Sequence, residues 1–170
     1  DHIDMAIEIL ETTGVERFDS ELSMLIRYFG KLGVEGRKAV PQLLELVEGI
    51  KENPEKEGLL MNAVGAIGKL DPKSTETLGV LSGLSLHLNK DVRYNALFSI
   101  GQLDLAKAMV LPSVSVFLED SSPRVRAAAA GHLWRLNPTE GEDSLGVCQA
   151  LLDSQNDLAK REALSVLSKM

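Results

Sequence analysis

Apolar residues recur at helical spacing along the whole chain, and they recur in register. In Asp91–Leu103, Val92, Ala96, Ile100 and Leu103 share one helical face, with Arg93 beside them. The set returns 33 residues later as Val125, Arg126, Ala129, Leu133 and Leu136, and 34 beyond that as Ala159, Lys160, Ala163, Leu167 and Met170. Stepping back 33 residues gives Ala63, Ile67 and Leu70, and a further 38 gives Leu25, Phe29 and Leu32. One helix, repeated at a period of 33 to 38 residues, predicts an all-α solenoid in which each unit packs on its neighbours. No strand-like alternation and no low-complexity tract interrupts it.

A second helix, A, precedes each of these B helices. Ile3, Ala6, Ile7 and Leu10 form the first A helix, ending near Gly14, and Asp19 and Ser20 are N-cap candidates for a B helix over Leu22–Leu32 that stops at Gly33. Val40, Leu43, Leu44, Val47 and Ile50 give the second A helix, broken at Asn53-Pro54, and its B helix stops at Asp71-Pro72. The third A helix spans Ser74 to Leu88, and the fourth carries Leu111, Val114, Phe117 and Leu118. Ser122 caps the next B helix, with Pro123 in its first turn and Asn137-Pro138 at its end. Leu145, Cys148, Leu151 and Leu152 form the fifth A helix, and the last B helix runs from Leu158. Val40-Pro41, Leu78-Gly79, Leu111-Pro112 and Leu145-Gly146 share one phase, which marks either a first turn or a bend, since a mid-helix proline costs about 3 kcal/mol.

Composition narrows the picture. Aromatics are only 4% of the 170 residues against 44% hydrophobic, so aliphatic side chains fill the core. A net charge of −7 argues against a general nucleic-acid binder, which needs surplus Lys and Arg. The longest apolar run, Ala108 to Leu118, holds Pro112 and is too short to span a bilayer. The single cysteine, Cys148, excludes an internal disulfide and favours a cytoplasmic setting, with export left open because the chain begins at Asp1 and not at Met. It sits at an apolar phase of its helix and reads as core.

Val-Arg-x-x-Ala-x-x-x-Ile-Gly-x-Leu at 92–103 and Val-Arg-x-x-Ala-x-x-x-Leu-Trp-x-Leu at 125–136 resemble B helices of HEAT repeats, in the short variety first associated with phycobilin lyases. The resemblance implies a right-handed α-α superhelix of about five hairpins, at 1–33, 34–71, 72–104, 105–137 and 138–170, expected to be a piece of a longer chain. Tetratricopeptide repeats share the period, but they want a small residue where Leu70, Leu103 and Leu136 stand, and ankyrin's Thr-Pro-Leu-His is absent. Alanine at 63, 96, 129 and 163 lets helices approach closely, where a bulkier residue overpacks by about 1–3 kcal/mol. Gly30, Gly68 and Gly101 each cost about 1 kcal/mol against alanine in a helix, which close helix contact explains. The resemblance also implies that Arg93, Arg126 and Lys160 stitch adjacent repeats, with Asp91 and Asp157 preceding two of them.

In HEAT-type solenoids the B helices line the concave face, so their outward residues are the expected partner-binding surface. Counted from the alanine, positions 0, +1, +4 and +7 are buried and −1, +2 and +6 point away. The +6 column reads Lys31, Lys69, Gln102, Arg135 and Lys169; Arg27 and Phe98 sit at +2, with Tyr28, Ser99 and His132 beside them at +3. Glu8, Glu45, Glu48, Glu76, Glu119 and Asp153 lie on the A helices. One reading is a groove for an acidic peptide or protein segment; the other is that Lys and Arg simply favour the negative end of each helix dipole. Trp134, in a column of small residues, either plugs a gap or offers a contact, with packing the stronger reading.

Enzyme readings find little in the chain. His2, His87 and His132 lie far apart and pair with no carboxylate at metal-ligand spacing, so no catalytic, cofactor or metal residue is assigned. The His-Glu pairs of deoxyhypusine hydroxylase have only Arg161-Glu162 as an analogue here. The expectation is a non-catalytic scaffold without nucleic-acid or membrane partners. The alternative is a phycobilin-lyase-like or chaperone-type subunit that handles a small molecule. Met170 falls on a core position, so end-to-end association or further repeats are expected.

Overall fold

The computed structural model describes residues 2–12, 19–138 and 142–169. The chain divides into two compact units, Asp1–Asp104 and Leu105–Met170. In unit 1, α1 (His2–Thr12) is followed by α2 (Asp19–Leu32), a 3-10 segment over Gly33–Ala39, α3 (Val40–Ile50), a 3-10 turn at Pro54–Lys56 and α4 (Glu57–Leu70). Then come α5 (Thr75–Gly83), a 3-10 turn at Leu84–Leu86 and α6 (Lys90–Ile100). Unit 2 contains α7 (Lys107–Ser115), a 3-10 turn at Val116–Glu119, α8 (Pro123–Leu136), α9 (Glu142–Asp153) and α10 (Asp157–Leu167). Among the described residues there is no strand.

The B helices stack. In unit 1, α2 packs on α4 and α4 on α6, with α3 and α5 lying against α4 and α6; in unit 2, α8 packs on α10 and α9 bridges the two. Ala63, Ala96, Ala129 and Ala163 are each 0% exposed. Phe29, Ile26, Leu60, Ile67, Leu70, Leu97 and Ile100 fill the core of unit 1, where each large buried side chain contributes about 1.5–3 kcal/mol. In unit 2, Ala127, Leu151, Ala159 and Ala163 form a cluster bordered by Val147, Leu152 and Val166.

Glycines mark the seams between stacked helices. A Cβ on Gly68 would lie 3.0 Å from the Ser99 Cβ and 3.3 Å from its carbonyl oxygen, so only glycine lets α4 approach α6 this closely. On Gly131 it would meet the Val166 side chain at 3.2 Å, and on Gly30 the Ala66 Cβ at 3.5 Å, an ordinary contact.

Three details differ from the sequence expectation. Asp19 and Ser20 lie inside α2, not before it, and the preceding residues, Gly14 among them, fall outside the described ones. Ser122 is the residue before α8, but its side chain makes no capping bond; instead the Asp120 carboxylate accepts from the Ser122 N–H at 2.7 Å. The third and fourth A helices each tighten into a 3-10 turn, at Leu84–Leu86 and Val116–Glu119. Gly33, at φ +57, ends α2 as expected, and α6 ends at Ile100, short of Gly101 and Leu103. Pro41 sits in the first turn of α3 while Pro112 lies inside α7, and Ser74 caps α5 through the Thr77 N–H at 3.1 Å.

The recurrent arginines fasten their own turns. Arg93 donates through Nη1 to the His87 and Leu88 carbonyls at 2.7 and 2.9 Å, and Arg126 to those of Asp120 and Ser121 at 2.5 and 3.2 Å. Links between successive hairpins of unit 1 include two from the turn before α6. The His87 ring donates through Nε2 to the Lys51 carbonyl at 2.9 Å, and the Asn89 amide donates to Glu57 at 2.5 Å. Asn89 and Asn156 cap α6 and α10 by accepting from Asp91 and from Leu158 and Ala159.

Candidate partner-binding face

In unit 1 the stacked B helices carry Arg27 and Lys31 on α2, Lys69 on α4, and Phe98 on α6 with Gln102 just beyond it, all exposed. Their register places them on one side, opposite the buried positions of each helix. Between them lie the half-buried Asn62, Gly65 and Asn95, so the surface there is small and polar. The exposed carboxylates Glu8, Glu45, Glu48 and Glu76 belong to α1, α3 and α5, and Glu48 is paired with Lys51 at 2.6 Å. Lys31 and Lys69 also stand in the last turn of their helices, where a cation gains about 0.3–1 kcal/mol from the dipole. Both explanations for the basic column therefore apply to the same residues.

The +3 position does not point outward. Ala66 and Val166 face the preceding B helix at Gly30 and Gly131, and Ser99 does the same at Gly68. His132 occupies this column and is only 7% exposed, so it cannot belong to an accessible binding face. Tyr28 is 39% exposed because α2 has no B helix before it among the described residues. Two residues on the outward side escaped the sequence reading. Met24 on α2 is 64% exposed, and Arg124 is exposed in the first turn of α8. Their position at −1 and −5 from the alanine column could have revealed them.

In unit 2, Arg135 and Lys169 are exposed, and Arg135 is tied to the buried histidine. Its Nη2 donates to His132 Nδ1 at 2.6 Å. A guanidinium only donates, so Nδ1 is the acceptor and the ring is neutral. Burial, followed by the Arg135 charge, lowers the His132 pKa to about 4. His132 thus holds the Arg135 side chain in place. Trp134 is half-buried, and Cys148 is fully buried, with its thiol pKa pushed up by burial. Among the described residues no group of three or more His, Cys, Asp or Glu could hold a metal ion. No described helix is long and apolar enough to cross a membrane.

Helix pairs whose B members stack through small residues define the α-solenoid class. Comparison with protein families points the same way: the family model for HEAT repeats matches residues 77–168. That is more than half of the chain, which therefore belongs to the HEAT-repeat family. Comparison with curated proteins gives no match. HEAT repeats commonly mediate protein–protein interaction, and the family is generally non-catalytic.

Proposed function

We propose that the chain is a non-catalytic scaffold that binds an acidic protein segment along the outward side of its B helices. Arg27, Lys31, Lys69, Phe98 and Gln102 form the contact in unit 1, and Arg135 and Lys169 serve the same role in unit 2. One observation carries the reading. In unit 1 the exposed cations Arg27, Lys31 and Lys69 lie on the B helices and the exposed carboxylates named above on the A helices, whereas exposed Arg37, Lys38 and Lys73 are paired with Asp71, Asp4 and Asp104. Exposed Phe98, 48% accessible, adds apolar contact to that side. A small-molecule handler would need an enclosed apolar pocket with convergent polar groups. A cleft of about 460 Å³ along α3 and α5 has Val40, Leu44 and Val80 in its walls, but it is open and rimmed by Glu45, Glu48, Asp71 and Glu76. It does not favour that alternative.

Affinity capture from the native cell, with a Lys69→Glu/Arg135→Glu variant as control, tests the proposal. Partners bearing acidic segments should be retained by the native chain, released by moderate salt and lost from the variant. An identical set of partners on both would overturn it.

A further inference from the structure

Several cations of unit 1 are oriented by carboxylates. Arg37 meets Asp71 at 2.9 Å, Lys51 meets Glu48 at 2.6 Å and Lys73 meets Asp104 at 3.3 Å. In each pair the group that orients the cation also cancels its charge. Arg135 in unit 2 is held in a different way. The neutral imidazole of His132 accepts from its Nη2 at 2.6 Å. Among the described residues no carboxylate lies within ion-pair distance of the guanidinium. A neutral acceptor restrains the side chain and leaves its full charge in place. Burial sustains the arrangement: His132 is 7% exposed, and a pKa lowered to about 4 keeps the ring uncharged beside a cation.

The guanidinium keeps what a ligand needs. His132 uses one of the two Nη2 hydrogens, and the other still completes a two-donor edge with either Nε or Nη1. A carboxylate fits such an edge through two parallel hydrogen bonds. Arg135 is exposed in the last turn of α8, on the outward +6 column. A long side chain loses rotamer freedom when a ligand captures it, and for Arg135 part of that loss is already met on folding. Lys31 and Lys69 are exposed ammonium groups on flexible stems, which attract an anion without prescribing its orientation.

We infer that Arg135 anchors the acidic segment in unit 2 by taking the carboxylate of one Asp or Glu side chain in a bidentate pair, and that His132 is the residue that positions it. This rests on the proposed binding of an acidic segment and adds a stereochemical demand. At Lys69 a positive charge suffices; at Arg135 the planar fork and its fixed direction are required.

A displayed library of 12-residue peptides, selected on the immobilised 170-residue chain, provides the probes. Recovered peptides should be rich in Asp and Glu. By fluorescence anisotropy, Arg135→Lys, which keeps the charge and loses the fork, should weaken their binding about tenfold. His132→Leu, which frees the side chain, should weaken it about fivefold, and His132→Asn, which returns an acceptor, should restore most of that loss. A purely packing role for His132 predicts the reverse order, since leucine suits a buried site better than asparagine. Arg135 is exposed, so Arg135→Lys folds, and circular dichroism verifies the fold of the His132 variants. Lys69→Gln tests the wider reading independently, because it removes a charge of unit 1. Equal binding to the native chain and Arg135→Lys, or tighter binding to His132→Leu than to His132→Asn, would overturn the inference. If Lys69→Gln still weakened binding, the acidic-segment reading would stand without it. Recovery of no acidic peptide would overturn both.

Discussion

The two seams of unit 1 look alike in sequence and differ in how much room they hold. Each places a glycine of one B helix against a small residue of the next. Gly30 faces Ala66 at an ordinary contact distance for an added Cβ, whereas Gly68 faces Ser99 at 3.0 Å with the Ser99 carbonyl only 3.3 Å away. Ser99 is itself anchored, since its hydroxyl donates to the Val64 carbonyl at 3.2 Å from a buried position. One seam has slack and the other has none. A glycine at a repeat position is thus required by its partner's atoms, and the column it belongs to does not decide the matter.

The largest effect is expected at the buried His132 of unit 2. The folded His132 pKa, about 4, lies below the 6.5 of an unfolded chain, so the unfolded state takes up the proton first. The stability contributed by neutral His132 is whole above pH 6.5, declines as the pH falls and levels off near 4. The total is about 3 kcal/mol. Urea denaturation across that window should show the slope, and His132→Asn, which keeps an acceptor for Arg135, should flatten it. A slope that survives the substitution would place its origin elsewhere.

The tight seam comes next. Gly68→Leu should destabilise the protein by about 2 kcal/mol, as overpacking against a backbone carbonyl outweighs the gain in helix propensity. Thermal unfolding of the variant with an unchanged or raised Tm would show that α4 and α6 can separate at little cost. The smallest effect has the opposite sign. Gly30→Ala should stabilise by up to about 1 kcal/mol, since the methyl group fits against Ala66 and the helix loses a glycine. A lower urea midpoint for this variant would erase the contrast between the seams.

How far the residues foretold this arrangement depends on direction around each helix. The buried arc at 0, +1, +4 and +7 was legible on α4, where Ala63, Val64, Ile67 and Leu70 are all buried, but it fails on α10, where Leu164 at +1 is 57% exposed. The flanks were not legible. A helix within a stack is covered on three sides, and a wheel centred on one buried face assigns the lateral residues Ser99 and His132 to the open side. The outward +6 column, Lys31, Lys69, Gln102, Arg135 and Lys169, lies furthest from all three contacts and is exposed throughout. The role of Arg93 also escaped the pattern. Its recurrence beside Asp91 gives no hint of the bonds to the His87 and Leu88 carbonyls, which depend on the path of the turn. The 3-10 turns were equally hidden, because an apolar residue every third or fourth position suits either winding.

Cys148 gives unit 2 a reporter of its own. The chain has one thiol, it is completely shielded on α9, and burial holds it in the unreactive protonated form. An alkylating reagent reaches that sulfur only when α9 lifts from its neighbours, so the labelling rate counts transient openings of this half without any engineered tag. Partner binding that clamps the second half would be read as slower modification, while occupancy confined to the first half would leave the rate untouched.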